Sequence, residues 1–203
     1  MSRHTKEEAA ATRDAIIDAA ERLFDENGVA RTSLEAVARA AKVTRGAIYW
    51  HFRDKTDLFR AMQARARLPQ EQFFESRAID LEERSLDALR EATTGMMQRF
   101  VGDARARRVY GIILFRCEYV GALGADLLRC EADDRMLAVI RQVFRRAEET
   151  GALGPRWPAE RAADAYVCML VGIFSEWLRR GGEMDMIATA EPMLDSLFAG
   201  FRT

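Results

Sequence analysis

Between Leu34 and Phe52 the chain carries two short helical periods joined by a tight turn. Leu34, Val37, Ala38 and Ala41 give the first its apolar face, and Val43, Ile48 and Phe52 supply the apolar side of the second. Apolar residues recurring at three- and four-residue steps mean helix. Two such helices with so little chain between them bury their stripes by crossing steeply, the helix-turn-helix pattern. Ala40, Ala41, Gly46 and Ala47 are small enough to let helices, and anything outside them, approach closely. The side chains left over are polar or aromatic: Thr44, Arg45, Tyr49, Trp50 and His51. In this pattern the second helix enters the major groove of duplex DNA with its N-terminal residues at the base edges.

The remainder of the chain reads as helix throughout, so the fold class is all-α. Thr5 and Glu8 have the spacing of a capping box, and Ile16, Ile17, Ala20, Leu23 and Phe24 come after it at helical steps until Asn27-Gly28. Thr32 and Glu35 form a second box, Thr44 caps a short third helix, and Asp54 caps a fourth. That fourth helix carries Leu58, Phe59 and Met62 and runs to Leu68-Pro69. Further helices are expected at Gln70 to Ile79, Glu83 to Val101, Ala104 to Val120, Leu123 to Thr150, Ala159 to Arg180 and Ile187 to Phe201. Residues 1–53 then form a DNA-binding domain, 54–68 a connecting helix, and 69–203 a larger helical ligand-binding and dimerisation domain.

Composition excludes several classes. Hydrophobic residues make up 49% and charged residues 31% of the 203, which suits a folded helical protein. No apolar run is long enough for a membrane span, and the first residues lack an export signal. Cys117, Cys130 and Cys168 are odd in number and widely spaced, which fits reduced thiols in a cytoplasm. The only histidines, His4 and His51, stand near no cysteine pair, so neither a metal nor a cofactor is expected. Net charge is -1, yet Arg31, Arg39, Lys42, Arg45, Arg53, Lys55 and Arg60 cluster against only Glu35, Asp54 and Asp57. That cluster reads either as an anion-binding face or as an ordinary solvated surface.

The stretch Thr32-Ser33-Leu34-Glu35-Ala36-Val37-Ala38, then Val43 to Phe52, then Asp54-Lys55-Thr56-Asp57-Leu58, resembles the TetR family signature. The Thr-Lys-Glu-Glu start, the Asp103 to Arg108 run and Cys117-Glu118 resemble its AcrR/TtgR-type branch of multidrug-efflux repressors. The resemblance implies a homodimer on operator DNA, released by a small apolar or aromatic effector. It implies that Arg45 reads a base, that Thr44, Tyr49, His51 and Lys55 hold phosphates, and that Ala47 meets a thymine methyl. Thr32, Lys42, Gly46 and Trp50 complete the expected DNA-facing set, although Trp50 has helix 1 as an alternative partner. Lys42 departs from the family, which usually has glycine in this turn: either a lysine sits at positive φ at a cost of about 1 kcal/mol, or the turn differs slightly.

The C-terminal helices are apolar on more than one face and so need two partners. Chamber candidates are Ala66, Leu89, Thr93, Met96, Met97, Tyr110, Leu114, Cys117, Met136, Ile140, Val167, Leu170, Val171 and Phe174. Arg116 and Glu118 are further polar candidates. Any of these residues also reads as plain core. The dimer candidates are Trp177, Leu194, Leu197, Phe198 and Phe201, two helices per subunit making a four-helix bundle. A regulator of a metabolic operon, a helical enzyme and a protein-binding adaptor are the alternatives. The enzyme lacks a nucleophile–base pair, a phosphate loop and a metal set; the adaptor leaves Arg45, Tyr49 and Lys55 without a purpose.

Overall fold

The computed structural model describes residues 2–74, 85–117 and 131–202. Its helices are α1 (Ser2–Asn27), α2 (Leu34–Ala40), α3 (Arg45–His51), α4 (Lys55–Arg65), α5 (Pro69–Phe74), α6 (Leu86–Gly102), α7 (Ala104–Phe115), α8 (Glu131–Glu149), α9 (Ala159–Arg179) and α10 (Met186–Phe201). No strand occurs among the described residues. The expected helix ends at Ile79 and Val120, the starts at Glu83 and Leu123, and Glu118 lie outside them. Two compact units result: residues 2–67 with 108–117, and residues 68–74, 85–107 and 131–202. Residues 108–117, expected with the C-terminal domain, thus group with the first unit, as does α4.

In the first unit Ile16, Ile17, Ala20 and Phe24 of α1 are fully buried, as are Val37 of α2, Ile48 of α3 and Leu58 of α4. Phe24 and Phe59 meet with ring centroids 6.0 Å apart. These are the three- and four-step stripes read from the chain, now facing one another. Caps close the short helices: Ser33 Oγ accepts from Ala36 N at 3.1 Å, Thr44 Oγ1 from Ala47 N at 3.1 Å, and Asp54 Oδ1 from Asp57 N at 2.8 Å.

Two capping assignments change. The helix starts at Ser2, so Thr5 lies within it and is not its cap; the helix formers Lys6, Glu7 and Glu8 are followed by alanines, and nothing interrupts the helix there. Ser33 rather than Thr32 caps α2. The fourth helix also ends early, with Ala66 extended at ψ 136° and Pro69 opening α5. A proline disfavours helix in the residue before it but fits a first helical position.

The second unit is held by an aromatic cluster. Phe144 stacks edge-on to Phe201 at 5.1 Å, Phe198 stands 5.9 Å from Tyr166, and Phe100 meets Phe174 at 4.9 Å. This corrects most of the expected dimer seam. Leu194, Phe198 and Phe201 are buried inside the unit, and Trp177 packs on Phe100 while its indole N–H donates to the Met184 carbonyl at 2.8 Å. Only Leu197 of the named set keeps partial exposure. An α10 with two apolar flanks gives the broader one to its own core, because that burial removes more apolar surface from water.

Candidate nucleic-acid interface

The turn between α2 and α3 is tight because Lys42 takes φ 56°, the left-handed region expected of a glycine there. Its N–H bonds Arg39 O at 3.1 Å and Val43 N bonds Ala38 O at 3.0 Å, so the strain is held by the hydrogen bonds that end α2. Lys42 itself is exposed to solvent. Of the seven residues of α3, only Ile48 is buried. Tyr49 is 45% and Trp50 74% exposed, which removes helix 1 as a partner for Trp50. Large exposed aromatics on a helix this short signal an external partner. Gly46 is not needed for internal contacts, since an added Cβ would meet only Thr44 Oγ1 at 3.9 Å.

Arg45 is exposed and aimed. Its Nη2 lies 3.3 Å from Glu35 Oε1, and its guanidinium sits over the Tyr49 ring at 5.7 Å. A backbone hydrogen bond, then the charge of Arg45 and hydrogen bonds from Ser33 and Tyr49, holds the Glu35 carboxyl below its ordinary pKa. Glu35 was legible only as a capping residue; its role in restraining Arg45 across the two helices needs the fold. The same is true of Arg13 on α1, whose guanidinium covers Phe52 at 5.2 Å. Burial, and then the charge of Arg13, lowers the pKa of His51.

Two expected DNA contacts are turned inward. Thr32 is buried and its hydroxyl lies within hydrogen-bonding distance of both Leu23 O (3.2 Å) and Gly28 O (2.8 Å). Lys55 places its ammonium on three carbonyls, Val29 O at 2.8 Å, Ala30 O at 3.0 Å and Thr32 O at 3.1 Å. All three donors are then used, and burial lowers its pKa. Both residues fasten the turn between α1 and α2. The resemblance to the family is what assigned Lys55 to the phosphates. The exposed members of the set are Lys42, Thr44, Arg45, Gly46, Tyr49 and Trp50, together with Ala47 and His51, which are partly exposed.

The chamber candidates divide. Leu89, Thr93, Met96, Met97, Ile140, Leu170 and Phe174 are buried in the second unit, where the Thr93 hydroxyl meets the Tyr166 hydroxyl and donates to Leu89 O at 2.7 Å. Met136 and Val167 are partly exposed, and Val167 lines an open groove of about 360 Å³ with Ile140 and Cys168. Val171 is 48% exposed on the outer face of α9, which corrects its place in the chamber: its turn of the helix faces away from Leu170 and Phe174. Ala66, Tyr110, Leu114 and Cys117 belong to the first unit.

A helix-turn-helix whose second helix is freed of packing duties, attached to a larger helical unit, defines a DNA-binding transcriptional regulator rather than an enzyme. Residues 16–62 match the family described as bacterial regulatory proteins, tetR family, and residues 84–202 match the C-terminal region of MAATS-type transcriptional repressors. The chain belongs to the TetR family. It is 37% identical over 201 residues to the transcriptional repressor BepR of Brucella suis biovar 1 (strain 1330), covering 98% of this chain and 96% of that one. It is 34% identical over 203 residues to the regulator TtgR of Pseudomonas putida, covering 97% and 94%. Among solved structures it resembles NalD, the secondary repressor of the MexAB-OprM multidrug efflux pump in Pseudomonas aeruginosa. That match has 37% identity and a TM-score of 0.82 over 97% of this chain and 98% of that one. No helix among the described residues is long and apolar enough to cross a membrane.

Proposed function

We propose that this regulator represses a multidrug-efflux operon as a homodimer on a palindromic operator and leaves it when a small apolar or aromatic molecule binds the second unit. The exposure of Arg45, Tyr49 and Trp50 on α3 carries the DNA-binding part. One such short helix contacts few base pairs, so useful affinity calls for two, and two-fold symmetry then calls for a palindrome. Arg45 is the base reader, Lys42, Thr44, Tyr49 and His51 hold phosphates, and Trp50 lies against the DNA beside them. The efflux target rests on the likeness to NalD and to SmeT, the repressor of a multidrug efflux pump of Stenotrophomonas maltophilia, the latter at 28% identity and a TM-score of 0.70.

The second copy docks on the outer face of α9 and α10. An open groove of about 590 Å³ there is lined by Met169, Pro192, Met193, Ser196 and Leu197, with Val171 exposed on α9. An apolar patch of this kind on two adjacent helices fits a partner helix pair. The effector site lies among the buried Met and aromatic side chains around Thr93 and Tyr166, where flexible Met admits varied apolar shapes and the two hydroxyls orient them. Release needs an effector that prefers the state unable to bind DNA, and a hundredfold effect corresponds to about 2.7 kcal/mol of coupling. By reciprocity the operator weakens effector binding by the same factor.

A gel shift with the DNA upstream of its own gene tests the first part: a discrete complex, lost on Arg45→Ala, supports it, and no complex overturns it. Calorimetry of an aromatic probe such as triclosan, the molecule named in a SmeT complex, with and without that DNA tests the second. Equal affinities in the two titrations would leave a DNA-binding protein that this molecule does not regulate.

A further inference from the structure

The chain passes between the two compact units after Arg67 and again after Arg107. An arginine stands beside each passage, and both end on one carboxylate. Glu21, on α1 and 2% exposed, receives Arg108 Nη1 on Oε1 at 2.7 Å and has Arg65 Nη2 3.7 Å from Oε2. Arg65 is also held by Asp14 at 3.5 Å and by Asp18. A carboxylate taken out of water is tolerated only with cationic partners, and removing one of them leaves an uncompensated charge. Glu21 is therefore committed to both passages at once.

The neighbouring arginine turns the other way. Arg107 lays its guanidinium over the Trp177 ring at 5.8 Å and donates to Val101 O at 2.5 Å, both in the second unit. Adjacent residues at one passage thus serve opposite units, which explains the Arg107-Arg108 pair in the sequence.

Beyond Arg108, α7 is tied to the first unit a second time. The Arg116 carbonyl accepts from Val29 N at 2.9 Å, just after Gly28, whose φ of 82° is the left-handed backbone that favours glycine. Arg116 follows Arg108, and Val29 follows Glu21, by the same number of residues, with α7 ending just before Arg116 and α1 two residues before Val29. Two ties at matched separation fix the direction of α7 along α1 as well as its distance.

We propose that Glu21 is the coupling residue of this regulator. Through Arg65 and Arg108 it makes α1, and with it α2, which packs on α1, and α3, which packs on α2, follow both passages as one body. In the dimer this clasp sets the spacing at which the two reading helices meet DNA. Glu21 is a positioning residue: it touches no base and acts through α1. The proposal rests on the homodimeric, DNA-binding reading above.

The test uses the full-length protein. The wild type selects an operator from a randomised duplex pool, and a second duplex is made by inserting one base pair between its half-sites, displacing one by about 3.4 Å and turning it by about 35°. The wild type prefers the first duplex by about tenfold or more. In Glu21→Gln and in Arg108→Met the preference falls to about twofold, and Arg108→Met changes nothing further in the Glu21→Gln background. A merely structural role lowers the fraction of active protein, weakens both duplexes alike and leaves the ratio where it was. Arg108 is half-exposed, so its variant keeps the fold even where Glu21→Gln does not. A wild-type ratio near one, an unchanged ratio in Arg108→Met, or additive effects of the two changes overturn the coupling role. Failure of the wild type to select any duplex removes the DNA-binding reading itself, and the coupling role with it.

Discussion

The reading helix α3 and the C-terminal helix α10 are both amphipathic, and they were legible to very different degrees. On α3 the fold claims Ile48 and leaves the other side chains largely outside. On α10 the fold claims Met186, Ala190, Leu194, Phe198 and Phe201, and leaves Met193 exposed and Leu197 partly so, the side proposed for the second copy. Residues that recognise DNA are polar, cationic or aromatic and differ in kind from those that build a core. Residues that dimerise or bind an apolar effector are drawn from the same apolar set as the core. Function can be read from residue type in the first case and only from burial in the second.

The sharpest way to break this comparison is to charge α10 at two positions. Leu194→Glu places a carboxylate where no water reaches and should cost more than about 4 kcal/mol, seen as loss of the folded state in thermal unfolding. Leu197→Glu, on the groove, should keep the fold and yield a monomer in sedimentation. A folded Leu194→Glu monomer would return Leu194 to the seam.

Two lysines of the reading unit make the next contrast. Lys55→Met should lose about 2 kcal/mol of stability with its three carbonyl contacts, while the slope of log affinity against log salt stays unchanged. Lys42→Gly should instead stabilise by about 1 kcal/mol, by relieving φ 56°, and flatten that slope by about 0.9. Slopes that move the other way round would restore Lys55 as the phosphate contact.

Arg45→Ala should cost about 1–3 kcal/mol of operator affinity and relax selectivity at one position per half-site. Uniform weakening across operator variants would make Arg45 a phosphate contact like its neighbours.

The smallest effect lies in the second unit. Burial, and then the charge of Asp134, pushes Asp133 up to about 6 from the ordinary 3.8. The folded state therefore resists its ionisation, and the stability present below about pH 4 is lost as pH rises through about 6. Asp133→Asn escapes that cost, so its thermal midpoint should exceed the wild type's at pH 7 and converge with it near pH 4. A constant difference across that range would mean that Asp133 ionises freely in the folded chain.

Helix type and approximate placement came from the spacing of apolar residues, because a period near 3.6 is imposed by backbone geometry alone. The caps at Thr44 and Asp54 and the turn at Lys42 were equally local: a side-chain oxygen reaches an amide three residues on, and a positive φ is forced by the turn itself. Arg45, Tyr49 and Trp50 stood out by their place on the second helix of the helix-turn-helix pattern, beside the apolar positions that the core takes. The inward turn of Thr32 and Lys55 was hidden, since their acceptors lie on the end of α1 and the turn after it, and nothing in their own surroundings in sequence names it. The same holds for Glu35 on Arg45 and for Glu21 between Arg65 and Arg108, where the partners are brought together from separate helices. Tertiary structure alone decided which apolar stripe of α9 and α10 each subunit keeps for itself. Burial energy is non-directional and scales with area, so a sequence with two apolar faces offers both, and only the completed core shows which one was taken.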